Sequence, residues 1–173
     1  MILIIAEKPS LGRNIAAGIG PMQKRQGYLE GENYIITWAF GHLFSLCDIE
    51  TYSPSPEDSG RWTMANLPCF PKEFKFELRR ENGKDKKVDP GVRHQFELIR
   101  QLCNRPDVDT IVNAGDADRE GEIIVRLCMN NAGAQGKKYK RLWLPDQTPQ
   151  TVKKALAEMK DESEYDRLAA EGF

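Results

Sequence analysis

The chain has 173 residues, of which 40% are hydrophobic and 29% are charged, and its formal net charge is −1. This length allows one domain, with or without an insertion, to bury roughly 70% of the unfolded surface without disulfide bonds. The near-neutral charge excludes a strongly basic, free-standing nucleic-acid binder. No apolar stretch approaches the roughly 20 residues of a membrane span, and the first residues do not have the pattern of a signal peptide.

Cysteine spacing excludes one class of metal and redox site. Cys47, Cys69, Cys103 and Cys128 do not form C-x-x-C pairs, which bind zinc or exchange electrons. Widely spaced cysteines of this kind are typical of buried thiols in a reducing cytosol, so we expect a cytoplasmic protein.

The N-terminal part predicts a strand, a helix and a hairpin. Residues 1–6, "MILIIA", form a short apolar run typical of a buried parallel strand. Pro9 and Ser10 are helix-start signals, and apolar residues at helical spacing follow them. "GYLE" and "NYIITWAF" are rich in aromatic and β-branched residues, and residues 31–33 between them predict a hairpin.

Residues at about 48–91 predict an irregular insertion. Its first part, residues 48–72, contains several prolines and no clear periodicity. "EFKFEL" at 73–78 alternates between apolar and charged residues, which predicts a strand. Residues 79–91 form a charged, turn-rich loop.

Strands and helices alternate in the remaining part of the chain. The pattern predicts a helix at 92–103, a strand at 109–114, a helix at 119–131, a strand near "YKRLWL", a helix from about Thr148 and a helix over "ESEYDRLAAEGF". Such alternation predicts an α/β fold, with a mostly parallel sheet flanked by helices. We expect residues 1–160 to form one domain and residues 161–173 to be the truncated start of the next.

Carboxylates follow two of the predicted strands. Four of them lie in "NAGDADREGE", residues 113–122, and Glu7 follows the first strand. Sites in parallel sheets form at the carboxyl ends of the strands, so the two groups converge if these strands are neighbours. Crowded carboxylates favour a cation, and hard oxygen ligands suit Mg²⁺, which keeps waters for a phosphate. The predicted ligands of this magnesium site are Glu7, Asp116, Asp118 and Glu120.

Simpler roles exist for the same carboxylates. Asp118 is also suited to capping a helix that begins at Arg119, where acidic residues in the first turn are favourable. An EF-hand that starts at Asp116 is excluded, because its twelfth position is Leu127 and not glutamate.

The pair Glu7-Lys8 also has two interpretations. A Glu-Lys pair after a strand commonly forms a solvated turn. Beside the acidic segment, a partly desolvated Glu7 would have a raised pKa and act as an acid or base near neutral pH. Lys8 would then offer its positive charge to a phosphate.

These two segments together resemble the Toprim domain of type IA DNA topoisomerases, and the topoisomerase III branch most of all. "LIIAEKPS" at 3–10 is similar to the family's opening strand and catalytic glutamate, and "DADREGE" at 116–122 matches its D-x-D-x-E motif. "TWAFGHL" at 37–43 and "RWTMANLP" at 61–68 resemble further stretches of that branch. The similarity covers nearly the whole chain.

The resemblance implies a compact, Rossmann-like parallel sheet of about four strands, and it assigns roles to individual residues. Glu7 would give a proton to the leaving 3′ oxygen when a DNA strand is cut, and Lys8 would steady the scissile phosphate. Asp116 and Asp118 would hold Mg²⁺ with support from Glu120. Two further assignments are that Gly121 allows close packing at the helix start and that Arg119 contacts phosphate or pairs with the acidic residues.

The resemblance also implies single-stranded DNA as the partner. Trp62 would lie near the DNA, where an aromatic ring can stack on a base, although a tryptophan in an irregular segment is more often a local packing anchor. His42 would reach the DNA backbone or serve as a structural histidine. We expect a bacterial, nucleoid-associated protein.

One expected feature of a complete type IA enzyme is missing. The nucleophilic tyrosine of the family lies in a short motif where an arginine follows closely, and none of the five tyrosines here stands in such a motif. We therefore expect half an active site, which binds metal and DNA weakly and is inactive without further domains.

Two other function classes remain open from the sequence. Toprim domains also occur in primases and nucleases, which would require different flanking domains. A non-catalytic receiver-like module would have its acidic pair after the first strand, whereas this chain has Glu7-Lys8 there.

Overall fold

The structure is a computed structural model that describes residues 1–40, 44–46, 76–78 and 90–167. Its strands are β1 (Ile2–Ala6), β2 (Gln23–Arg25), β3 (Tyr28–Glu30), β4 (Tyr34–Trp38), β5 (Phe44–Leu46), β6 (Phe76–Leu78), β7 (Thr110–Ala114), β8 (Lys138–Arg141) and β9 (Lys160–Asp161). Its helices are α1 (Pro9–Ile19), α2 (Pro90–Cys103), α3 (Arg119–Ala132) and α4 (Pro149–Ala157), and a 3₁₀ turn covers Glu162–Tyr165.

Seven of these strands form one mixed sheet in the order β2-β3-β4-β1-β7-β8-β9. The four strands at its centre, β4, β1, β7 and β8, are parallel. Short antiparallel strands widen it at both edges, and β5 pairs with β6 in a separate ladder. The predicted α/β class is confirmed, with a parallel centre of four strands.

Strand β1 separates two hydrophobic cores, because successive side chains of a strand point to opposite faces. Leu3 and Ile5 pack with apolar residues of α2 and α3, whereas Ile4 and Ala6 pack with residues of α1 and α4. All four side chains are fully buried. The prediction of a buried parallel strand over "MILIIA" is confirmed, with helices on both faces.

The predicted hairpin is also confirmed, since β3 pairs with β4 in antiparallel register. The sequence did not predict β2, which pairs with the free edge of β3. Its residues Gln23, Lys24 and Arg25 are all exposed and polar, so they have no apolar alternation that would indicate a strand.

Helix-start signals in the C-terminal part correctly predict where α4 begins. Thr148 is the N-cap of α4, and its side chain accepts a hydrogen bond from the Thr151 N–H, as the "TPQT" signal predicts. The helix predicted from residue 162 begins as a 3₁₀ turn. Because β9 pairs with β8, residues 160 and 161 extend the sheet; the domain boundary at 160 stays a prediction.

Several predictions fall on residues outside the described ranges. Most of the insertion at 48–91 lies there, together with Cys47 and Cys69, whereas residues 90 and 91 already belong to α2. Cys103 and Cys128 are buried, and burial raises the pKa of both thiols to about 12. No helix in the described ranges is long and apolar enough to cross a membrane.

Candidate metal and phosphate site

The site begins where β1 and β7 end side by side. The two strands are parallel neighbours, and Ala6 is in register with Ala114. Glu7 and the loop that begins at Gly115 therefore leave the sheet at the same edge. The condition on which the predicted convergence rests, that these two strands are adjacent, is met.

Glu7 and Asp116 form the acidic corner, a name we use for these two residues. The Asp116 N–H donates a hydrogen bond of 3.3 Å to Glu7 Oε2. Burial raises the pKa of Glu7, and a hydrogen bond with the Asp116 carboxyl and its charge raise it further, whereas the bond from the Asp116 N–H and the charge of Lys8 lower it. A carboxyl group in this environment holds a proton more readily than a solvated glutamate does.

Lys8 completes the contacts at the acidic corner. Its Nζ lies 3.6 Å from Asp116 Oδ2, and the side chains of Lys8 and Asp116 are 48% and 31% exposed. Lys8 is also the residue before α1, in extended conformation, and its side chain makes no capping hydrogen bond. The ammonium group is therefore positioned beside a carboxylate at the solvent boundary.

Asp118 has the capping role that was one of its two interpretations. It is the N-cap of α3, and its Oδ1 accepts a 2.6 Å hydrogen bond from the Gly121 N–H. The side chain is exposed, and so is that of Glu120 in the first turn of the helix. Capping occupies one carboxylate oxygen of Asp118, so a second role toward a metal stays a prediction.

Close backbone packing holds the loop against the start of α3. A Cβ atom added at Gly121 would lie 2.5 Å from both the backbone N and O of Asp116, and one added at Gly115 would lie 2.1 Å from the Gly121 carbonyl oxygen. Real Cβ contacts are not this short, so both positions require glycine. The implied role of Gly121 in close packing is confirmed.

The acidic corner offers a small set of oxygen donors to a divalent cation. In the described ranges, no group of three or more His, Cys, Asp or Glu side chains is arranged to hold a metal ion. Two carboxyl groups nevertheless meet at the acidic corner, where burial and then the neighbouring Asp116 carboxyl raise the pKa of Glu7. Mg²⁺ commonly uses one or two carboxylates and keeps several waters, so this donor set fits it.

The side chains of three other predicted site residues lie outside what the structure describes. Arg119 is the first residue of α3, but its side chain lies outside what the structure describes. His42 and Trp62 lie in undescribed segments of the chain. Their assignments to DNA or phosphate stay predictions.

Sequence reasoning missed a buried polar network behind the acidic corner. Glu122 and Arg141 form an ion pair of 2.5 Å between Oε2 and Nε, with both side chains fully buried. Asn113, also fully buried, accepts a hydrogen bond from the Gly115 N–H with its side-chain oxygen. One signal was available: an asparagine in the otherwise apolar strand "TIVNA" needs buried hydrogen-bond partners.

The fold and the acidic corner define an α/β domain with carboxylates at the carboxyl ends of adjacent parallel strands. The family model of the Toprim domain matches residues 2–146. The chain belongs to the Toprim family.

The chain is similar to several curated proteins named DNA topoisomerase 3. The protein of Staphylococcus epidermidis is 36% identical over 166 residues, that of Shouchella clausii 37% over 167, and that of Bacillus subtilis 36% over 166. Each comparison covers 96% of this chain but 21% of the relative. The chain thus spans about a fifth of the length of the curated relatives it matches.

Proposed function

We propose that the chain is the magnesium-binding catalytic Toprim domain of a type IA DNA topoisomerase of the topoisomerase III branch. Such an enzyme cuts and reseals single DNA strands through a phosphotyrosine intermediate and so changes DNA topology. The observation that carries the proposal is the contact between Glu7 and Asp116 across two adjacent strands, with Lys8 beside them. The names of the relatives support the choice of reaction.

In this proposal, Glu7 is the proton donor to the leaving 3′ oxygen and takes the proton back when the strand is resealed. The raised pKa of Glu7 supports that role, because a general acid must hold its proton near working pH. Lys8 orients the scissile phosphate by its positive charge. A bound Mg²⁺ would supply further positive charge beside the phosphate, held by Asp116 and Asp118 with Glu7 and Glu120 in support.

The proposed partner is DNA, mainly single-stranded, bound together with further domains that provide the nucleophilic tyrosine and most of the basic surface. The net charge of −1 is consistent with a domain that holds DNA weakly by itself. The chain alone would be inactive. A cytoplasmic, nucleoid-associated location in a bacterium follows from this partner and is part of the proposal.

A magnesium titration of the 173-residue chain, followed by backbone amide NMR, tests the metal site. We expect shifts confined to residue 7 and residues 115–120. Asp116→Asn combined with Asp118→Asn should abolish them while the fold stays intact or becomes slightly more stable, because like charges are removed. Glu32→Gln with Glu158→Gln, at two exposed positions, removes the same number of charges and should leave the shifts unchanged.

The outcome that contradicts the metal site is an unchanged response in the Asp116→Asn, Asp118→Asn variant. Unfolding of that variant in ordinary buffer would instead indicate that the two carboxylates are needed to stabilise the fold. Phosphorylation by acyl phosphates would favour the receiver-like alternative, which loses support because the chain belongs to the Toprim family.

A chimera tests the reaction class and separates it from a primase or nuclease. The chain would replace the matching region of DNA topoisomerase 3 from Bacillus subtilis, and relaxation of supercoiled plasmid would be measured. We expect the chimera to relax DNA and Glu7→Gln to block strand cleavage in it, while Glu32→Gln has no effect. Strand cleavage by the Glu7→Gln chimera at the rate of the parent chimera would exclude the proton-donor role.

A further inference from the structure

The ion pair between Glu122 and Arg141, called the buried pair below, lies directly under the loop that carries Asp116. Arg141 ends β8, and Glu122 lies in the first turn of α3. Both side chains have no exposed surface, and 2.5 Å separates Arg141 Nε from Glu122 Oε2. A fully buried pair of charges needs partners for all its polar atoms, so those partners indicate what the pair does.

The remaining N–H groups of Arg141 are directed at backbone carbonyl oxygens. Nη1 and Nη2 donate to the carbonyls of Asn113 (3.2 Å), Gly115 (2.8 Å), Leu142 (2.9 Å) and Asp116 (2.9 Å). Two of these four carbonyls, those of Gly115 and Asp116, belong to the segment that connects β7 to α3, and that of Asn113 lies near the end of β7. Arg141 therefore fixes the backbone at Asp116 itself and at two residues just before it.

Glu122 is committed to two arginines. Its Oε2 accepts from Arg141, and its Oε1 accepts from Arg126 at 2.8 Å. Arg126 also donates a hydrogen bond to the backbone carbonyl oxygen of Glu162 and forms an ion pair with the Glu162 carboxylate. With both oxygens bound to guanidinium groups inside the protein, Glu122 is unsuited to a metal and instead holds Arg141 in place.

Aromatic rings cover the other side of the guanidinium group. Arg141 Cζ lies 4.9 Å from the centroid of the Trp143 ring, and Trp143 stacks on Tyr165 with their centroids 5.5 Å apart. Such a cover keeps water from the guanidinium group and restricts its orientation. Arg141 is thus enclosed between Glu122, the aromatic rings and the backbone at the end of β7 and the loop after it.

We propose that the buried pair is a positioning device for the reaction: Arg141, held by Glu122, sets Asp116 against Glu7. The proposal rests on the proposed function, in which the acidic corner binds metal and acts on the phosphate. A buried pair of charges adds little stability over a hydrophobic pair, so a role in stability alone gives no reason for its donors to converge on this loop. Outer partners of this kind commonly alter metal affinity 10–100-fold when they are lost.

The test compares Arg141→Lys with a core variant that loses a similar amount of stability but leaves the loop unchanged. Lysine keeps the charge, but it lacks the planar fork of donors and cannot reach the same set of carbonyls. Ile99→Val and Ile99→Ala, in the core on α2, bracket the stability lost without touching the loop. Urea unfolding of all three variants identifies the matched control.

Two NMR measurements on the 173-residue chain then give the result. Without metal, we expect Arg141→Lys to move the amide resonances of Glu7, Gly115 and Asp116, and the matched Ile99 variant to leave them in place. In a magnesium titration, we expect Arg141→Lys to weaken binding about tenfold or more, with no change for the control. If the amide resonances and the magnesium affinity of Arg141→Lys equal those of the control, the proposal is overturned.

Further variants keep the outcomes separate. If Arg141→Lys does not fold, Glu122→Gln decides, because it keeps the side-chain shape and hydrogen bonding while removing the charge; the same amides should move less. If the wild-type chain does not respond to magnesium, the proposed metal function fails, whereas the metal-free amide comparison still tests the positioning of Asp116. Unmoved amides in every folded variant of the pair would overturn the positioning role.

Discussion

The D-x-D-R-E-G-E segment supplies acidic residues to two environments that differ in solvent exposure and in the charges around the carboxylate. At the acidic corner, Glu7 and Asp116 lie at the solvent boundary with like charges close together, and the pKa of Glu7 is raised. At the buried pair, Glu122 is fully enclosed and its charge is compensated by Arg141 and Arg126. The carboxylates at the solvent boundary, whose nearby cation is the half-exposed Lys8, are suited to bind and react, and the enclosed carboxylate of Glu122 is suited to hold the structure.

The largest expected effect comes from breaking the buried pair. Glu122→Ala leaves the charge of Arg141 buried without its main partner, which should lower the free energy of unfolding by about 3–5 kcal/mol. Urea unfolding followed by tryptophan fluorescence measures it. The matched control is Glu164→Ala, which removes an exposed pair with Lys160 at 3.7 Å and should cost less than about 1 kcal/mol. Equal losses in the two variants would contradict the assigned difference.

A methyl group between the loop and α3 should have the next largest effect. Gly121→Ala forces a Cβ to within 2.5 Å of the Asp116 backbone, which should cost about 1–3 kcal/mol and weaken the magnesium response. Gly31→Ala is the control, because its nearest neighbours are flexible Met22 side-chain atoms at 3.4 Å. Thermal unfolding compares the two variants, and a Gly121→Ala chain as stable as wild type would show that the loop is free to move.

Two substitutions at Asp118 separate capping from metal binding. Asp118→Ala loses the helix cap and should cost about 1 kcal/mol, whereas asparagine caps as well as aspartate, so Asp118→Asn should retain stability. If Asp118 also binds metal, Asp118→Asn weakens the magnesium response without destabilising the chain. An unaltered response in the stable Asp118→Asn variant would restrict Asp118 to the cap.

The smallest effect is the dependence of stability on Glu7 ionisation. Because folding raises the pKa of Glu7 above its ordinary value, the protonated form favours the fold, and this stability is lost as pH rises through the folded pKa. In metal-free buffer, Glu7→Gln should therefore exceed wild type in stability at pH 7 by less than about 1 kcal/mol. The difference should vanish below pH 4.5, the ordinary pKa of the group.

The control for this pH profile is Glu32→Gln at an exposed loop position, which should follow wild type across the range. Urea unfolding at a series of pH values measures all three chains. A Glu7→Gln variant that is less stable than wild type at neutral pH would mean that the ionised carboxylate favours the fold.

The sequence by itself determined the elements whose patterns are local. Apolar runs predicted β1 and β7, helical spacing and caps predicted α1 to α4, and the acidic motif indicated which loop carries the chemistry. These features follow from interactions among residues close in the chain, such as the hydrogen bond between Thr148 and Thr151. They also sufficed to predict the α/β class.

Tertiary structure alone decided which distant residues meet. Glu7 and Asp116 are 109 positions apart, and only the parallel pairing of β1 with β7 brings them into contact. Arg141 lies in "KYKR", a basic stretch whose pattern suggests a solvated strand, yet among the described residues it is the largest fully buried side chain. Burying that charge requires hydrogen-bond acceptors from β7, the following loop and α3 at once. No local sequence pattern indicates this arrangement, because these elements come together only when β8 pairs with β7.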